Sequence, residues 1–168
     1  APVAITVMGG GGFPGGHPLT TGMIGMHGSK ASNTACNECD LMISVGCRFS
    51  DRVALQTGTF ASQAKLVQID IDRAEIDKNV RSHHHIIGSA KRVLTLLNQR
   101  LPQYQHPEWK EHILSLKSPD VEDNAAYLTP QQVLETIRRM APQDAIVSTD
   151  VGQHQMWSIQ HFHFDYPG

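Results

Sequence analysis

Short apolar runs that each end in a glycine or an acid constrain this chain more than any other feature. Residues 2–7, 41–45 and 65–71 are rich in Val, Ile, Leu and Met. They close on Gly9 to Gly12, on Gly46, and on Asp70 with Asp72. Runs of four to seven such residues fit buried strands, too short for buried helices. Helical stretches separate them. Residues 29–38 carry small side chains suited to close packing on a sheet. Residues 73–78 suit a helical turn, and 85–87 a short fourth strand. Ser89 caps a predicted helix to Arg100, with Val93, Leu94, Leu96 and Leu97 along one side. Strands alternating with helices predict an α/β fold: a doubly wound, Rossmann-like parallel sheet with helices on both faces. Ligands in such folds sit at the carboxyl ends of the strands, where the glycines and acids of this chain collect. A nucleotide-like ligand is the expectation, set against glycines and an acid that merely end strands.

After Leu101 the pattern breaks. Residues 106–116 suit a helix with Trp109, Ile113 and Leu116 inward, and 118–128 read as a polar linker. Thr129 with Pro130 then opens a helix to Met140, because Pro is favoured at the first helical position. Residues 145–148 suit a strand, and Val151-Gly152 a turn into a helix over 153–161. One strand and two helices close no core alone. The division expected is therefore a domain over 1–117, a linker over 118–128, and the start of a second domain over 129–168. The opening Ala1-Pro2-Val3-Ala4 reads as the interior of a longer chain.

Composition narrows the partners. Of 168 residues, 18% are charged and the formal net charge is −2, without a Lys/Arg run. Neither nucleic acid nor a membrane is expected as a partner. Three cysteines suit a reducing compartment, and a cytoplasmic location is expected. Cys36 and Cys39 form a Cys-x-x-Cys, but at the end of a helix rather than its start, so a structural role is favoured over redox. Ten histidines include the consecutive His83, His84 and His85, whose side chains diverge; no metal site is expected within this chain.

Four motifs carry a resemblance. Ile24-Gly25-Met26-His27-Gly28 resembles the "LGMHG" of the acetolactate synthase (acetohydroxyacid synthase) family. Residues 38–53, from Glu38-Cys39-Asp40 to Asp51-Arg52-Val53, resemble its "ECDLLIAVGARFDDRV". Ile69-Asp70-Ile71-Asp72 with Ala74-Glu75-Ile76 is similar to "IDIDPAEI", and residues 149–157 to "TDVGQHQMW". The order is right and most of the chain is covered. The resemblance implies a central FAD-binding domain plus the start of a pyrophosphate-binding domain. It implies FAD contacts at Thr6, Val7, Met8, Gly25, Met26, His27, Gly46, Cys47, Arg48 and Ser50. At the adenosine half it implies contacts at Asp70, Ile71, Ser89 and Ala90. Asp51 and Arg52 fall at the substrate and inhibitor entrance, and Val151, Gly152, Gln153 and His154 at thiamine diphosphate. The chemistry agrees: glycines let main-chain amides approach a ligand, Arg48 offers planar donors, and an acid after a strand can accept from ribose. Ser50 and Ser89 depart from the family, which has Asp at both; the loss of charge and reach implies weaker FAD binding. The Gly9 to Gly12 string is also richer than usual.

The intact parent is implied to condense two pyruvates, or pyruvate with 2-oxobutyrate, on thiamine diphosphate and magnesium, early in branched-chain amino-acid synthesis. FAD is implied to position rather than to transfer electrons, and no catalytic residue is expected within this chain. Partners implied are the rest of the polypeptide, a homo-oligomer (dimer or tetramer), and room for a regulatory subunit. Other thiamine-diphosphate relatives (glyoxylate carboligase, sulfoacetaldehyde acetyltransferase, pyruvate oxidase) and a degenerate, purely structural domain are the alternatives. A nicotinamide dehydrogenase is disfavoured, because no Gly-x-Gly-x-x-Gly joins a first strand to its helix.

Overall fold

The computed structural model describes residues 1–117 and 127–167. Two parallel sheets form its framework. β1 (Val3–Ile5) pairs with β2 (Thr20–Met23), and β3 (Leu41–Val45), β4 (Lys65–Asp70) and β5 (His84–Ile87) make the second sheet in that order. Every pairing is parallel. Parallel neighbours need crossovers, and α1 (Lys30–Glu38) supplies the one from β2 to β3. α2 (Ala90–Arg100) packs on β4, and α3 (Pro107–Ser115) on α1. α4 (Pro130–Met140) and α5 (Gln153–His161) pack on each other. The α/β reading with parallel strands therefore stands.

β4 is central and carries the core. Leu66 and Ile69 are buried, and alternation sends them to opposite faces. On the Leu66 face Phe49, Ala54 and Val80 close a cluster that also takes in Met42, Cys47, Val53 and Phe60. Gln68 lies on that face too. It is fully buried and bonded at both ends, its Nε2 donating to the Glu75 carbonyl (2.9 Å) and its Oε1 accepting from Asp77 N–H (3.2 Å). That satisfies its amide and pins the loop after β4.

Several expectations need correction. β1 is only three residues long and half-buried, because a 3-10 turn over Val7–Gly9 ends it. β3 forms where expected but is not buried. It lies at a sheet edge, and Leu41, Ile43 and Val45 face out, 40–51% exposed. β2 was not expected at all: its sequence, Thr-Thr-Gly-Met, has no apolar run. Residues 145–148 form no strand. Among the described residues no strand pairs with them, and Ile146 is 95% exposed. Of the helix after Ser89, only Val93 and Leu97 are half-buried, while Leu94 and Leu96 face solvent. Most of the expected linker, residues 118–126, lies outside the described residues.

The helix starts follow the sequence closely. Ser29 caps α1 through its side chain, which accepts from Ser32 N–H at 3.0 Å. Thr129 and Gln132 form a reciprocal capping box at α4, with Pro130 at its first position. In α3, Ile113 is fully buried and Trp109 half-buried. His112 Nε2 meets Glu38 Oε2 of α1 at 2.9 Å. No helix among the described residues is long and apolar enough to cross a membrane.

Candidate functional site

Parallel pairing gathers the strand ends, and short main-chain bonds then knit the loops beyond them into one rim. At one end, Ile24 N–H donates to the Ile5 carbonyl (2.9 Å), bringing the loop after β2 beside Thr6, Val7 and Met8. Next, Met26 N–H donates to the Arg52 carbonyl (2.9 Å), which joins that loop to the one after β3. Gly46 N–H donates to the Ile69 carbonyl (2.8 Å), and Gly88 N–H to the Asp70 carbonyl (2.8 Å). The sequence-predicted FAD residues thus lie along one continuous edge: 6–8, 25–27, 46–50, 70–71 and 89–90.

Glycine is required at two points on this rim. Gly25 has φ +110°, and a Cβ there would stand 2.2 Å from the Arg52 carbonyl oxygen. The two loops touch only because that side chain is missing. Gly46 has φ +66° in open space, so there the demand is conformational alone.

The side chains are unequal. Along the rim Met8 (91%) and Ile71 (75%) are the most exposed apolar groups, and Met26 and His27 are also exposed. Thr6 and Val7 are half-buried. The Arg48 side chain is exposed, and its carbonyl accepts from Asn79 Nδ2 at 2.9 Å. Asp70 is buried, and its Oδ1 accepts from Asp72 N–H at 2.9 Å. One oxygen of the expected ribose acceptor therefore caps its own turn. Ser50 and Ser89 are both exposed. The Ser50 carbonyl holds Val53 and Ala54 N–H, while Ser89 starts α2 without a side-chain capping bond. Ser89 also borders a shallow depression of ≈ 330 Å³ lined by Lys91, Arg92, Thr95, Leu96 and Gln99 of α2. Ala90 opens that helix.

Asp51 and Arg52 stand out into solvent, 3.7 Å apart, a loose pair of little energetic weight. Val151, Gly152, Gln153 and His154 lie at the start of α5. The rim meets that helix at its other end, where Gln160 Nε2 donates to the His27 carbonyl (2.9 Å). Seven residues of helix, roughly 10 Å, separate the two groups. The structure brings the residues expected to contact FAD together along the rim but does not join residues 151–154 to them.

All three thiols are raised above their ordinary pKa by burial, Cys36 to about 12. None is poised as a nucleophile at neutral pH, which agrees with structural cysteines. Among the described residues, no three His, Cys, Asp or Glu side chains group to hold a metal ion.

Two contributors escaped the sequence reading. Asn33 of α1 grips Gly25 by both main-chain groups, and Asn79 holds Arg48. The only hint for Asn33 was a polar residue four places after the Ser29 cap, on the helix face turned to the sheet.

Comparison with known proteins locates this arrangement. Residues 1–97 match the sequence model of the thiamine pyrophosphate enzyme central domain. The chain is 43% identical over 96% of its length to a probable acetolactate synthase large subunit of Methanocaldococcus jannaschii. It is 44% identical over 95% to an acetolactate synthase large subunit of Parasynechococcus marenigrum. It is 40% identical over 95% to the isozyme 2 large subunit of Escherichia coli. The chain spans only 29%, 27% and 29% of those three relatives.

Proposed function

Because this chain belongs to the family of thiamine pyrophosphate enzyme central domains, we propose that it is the part of an acetolactate synthase large subunit that holds FAD along its strand-end rim. The observation that carries this reading is the rim itself. Loops from both sheets meet edge to edge, with exposed main chain at Gly46 and exposed donors at Arg48 and Ser89. An extended, partly apolar and partly anionic ligand suits such an edge better than a small compact one. Met8 and Met26 offer apolar surface to a ring at one end. The exposed Ser89, with Lys91 and Arg92 just inside α2, offers donors and positive charge at the other. Within this reading FAD is a positioned structural group, and the chain bridges the domains that carry the chemistry. The intact protein condenses pyruvate with a second 2-oxo acid on thiamine diphosphate and magnesium. Val151 to His154 belong to the diphosphate side of that larger site, where main-chain amides at a helix start suit an anion.

A second reading has one observation in its favour: Asp70 spends a carboxylate oxygen on its own turn. A domain that has lost FAD and only bridges would show the same. Titrating the chain with FAD, with FMN and NAD as controls and flavin fluorescence as readout, separates the two. Saturable binding of FAD alone is expected. Preference for NAD would overturn the reading. Binding that appears only after Ser50→Asp with Ser89→Asp would locate the weakness in those two serines. Silence from both proteins would turn the assignment to the bridging domain.

A further inference from the structure

We infer that Asn33 is a positioning residue for the flavin end of the rim, an inference that rests on the FAD reading above. Its amide makes a two-point clamp on one residue. Asn33 Oδ1 accepts Gly25 N–H at 3.0 Å, and Asn33 Nδ2 donates to the Gly25 carbonyl at 3.0 Å. This is the pattern a neighbouring strand would provide, delivered instead by a side chain where β2 has ended.

What the clamp holds is unusual main chain. Gly25 sits at φ +110°, in near-contact with the Arg52 carbonyl, and Met26 N–H bonds that same carbonyl. Fixing Gly25 therefore fixes where the loop after β2 meets the loop after β3. The exposed Met26 and His27 and the donor Arg48 all hang from that junction. Asn33 itself is half-buried, anchored on a helix whose first turn is tied to β2. Ser29 Oγ donates to the Thr21 carbonyl (2.5 Å) and Ser32 Oγ to the Gly22 carbonyl (2.9 Å). A rigid helix thus sets the geometry of two loops that no secondary structure connects. Only an amide has a donor and an acceptor at this spacing. An aspartate of the same shape would set a carboxylate against the Gly25 carbonyl and lose one bond.

The test compares the wild-type chain with Asn33→Ala and the isosteric Asn33→Asp. FAD affinity is read by flavin fluorescence, and amide hydrogen exchange at Gly25 and Met26 is read without ligand. Losing both half-buried bonds in Asn33→Ala, or one bond with carboxylate–carbonyl repulsion in its place in Asn33→Asp, predicts roughly tenfold weaker FAD binding in both variants. Faster exchange at Gly25 and Met26 should accompany it, with α2 and β4 unchanged. Equal FAD affinity in wild type and variants would overturn the inference. Should wild type itself fail to bind FAD, the functional reading falls, and exchange alone decides on Asn33: unchanged protection at Gly25 and Met26 overturns it. The aspartate variant preserves volume, so its loss of affinity is not a packing defect.

Discussion

At the scale of single residues, the rim is built by main chain more than by side chains, and that decides which substitutions matter. Gly25 and Gly46 both have positive φ, and both end strands in the same sheet framework. Their surroundings differ. A Cβ on Gly46 meets nothing within 4 Å, whereas one on Gly25 meets the Arg52 carbonyl oxygen at 2.2 Å. Gly46→Ala should therefore cost only the left-handed strain, about 1–2 kcal/mol. Gly25→Ala should add a backbone displacement of about 1–3 kcal/mol. Urea unfolding of the two variants measures the difference, and equal midpoints would mean that the loops after β2 and β3 are not in contact. The glycines were legible as places needing freedom or close approach. Which of the two applied at each was not, because the partner of Gly25 lies 27 residues away in a loop of its own. Asp70 shows the same limit from the other side. An acid at a strand end could be read equally as a ribose acceptor or as a cap, and only the bond to Asp72 N–H shows the second in place.

Among elements, the sequence spoke most clearly where a local signal suffices and failed where a neighbour decides. The α4 start needed only Thr129, Pro130 and Gln132, all within four residues, and its capping box is complete. β2 has no such signal. Its four residues make a strand because β1 offers a ladder and because the hydroxyls of Ser29, the cap of α1, and of Ser32 within it take the Thr21 and Gly22 carbonyls. Residues 145–148 have the composition of a strand without a ladder to join, so composition misled there. The α4–α5 pair carries a pH dependence that follows from the structure. Burial between the helices holds His161 below its ordinary pKa of 6.5, with His163 adding repulsion and Glu135 of α4 partly opposing both. Well above pH 6.5 the ring is neutral in folded and unfolded chain alike. As pH falls below that value the unfolded chain takes up a proton that the folded pair resists, so stability declines. Relative to the intrinsic exchange rate at each pH, amide protection in α5 should fall between pH 7.5 and 5.5 more than in α2. His161→Gln should flatten that response and Glu135→Gln should deepen it. Equal loss of protection in both helices would assign the effect to the whole chain rather than to His161.

For the molecule as a whole, the decisive contact is between the glycine loop after β1 and the segment that follows α5. The sequence marked that loop as one where the backbone must bend sharply or approach something closely, with a ligand as one candidate for the approach. The structure supplies the chain's own tail. Gly15 N–H donates to the Phe164 carbonyl at 2.8 Å, and Gly16 N–H to Asp165 Oδ1 at 3.3 Å. A Cβ on Gly10 would press on the Ile159 side chain. From α4, Arg138 holds the same segment, its Nε on the His163 carbonyl, a terminal nitrogen on Asp165 Oδ2, and its guanidinium 5.6 Å from the Phe162 ring. Phe162 is buried by this arrangement. The glycine loop is thus joined to the tail by main-chain approach, and one arginine of α4 braces the same tail from the other side. Gly11 tests this junction most directly. At φ +77°, its Cβ would lie 1.8 Å from the Tyr166 carbonyl oxygen, an overlap that only displacement of the tail can relieve. Gly16 is the matched control, since its Cβ would meet nothing nearer than 3.8 Å. Gly11→Ala should expose the tail to chymotrypsin at Phe162 and Phe164 while the protection of β4 is kept, and Gly16→Ala should cleave like wild type. If Gly11→Ala cleaves no faster than Gly16→Ala, the tail is held by Arg138 alone, and the glycine run is free to face a ligand after all.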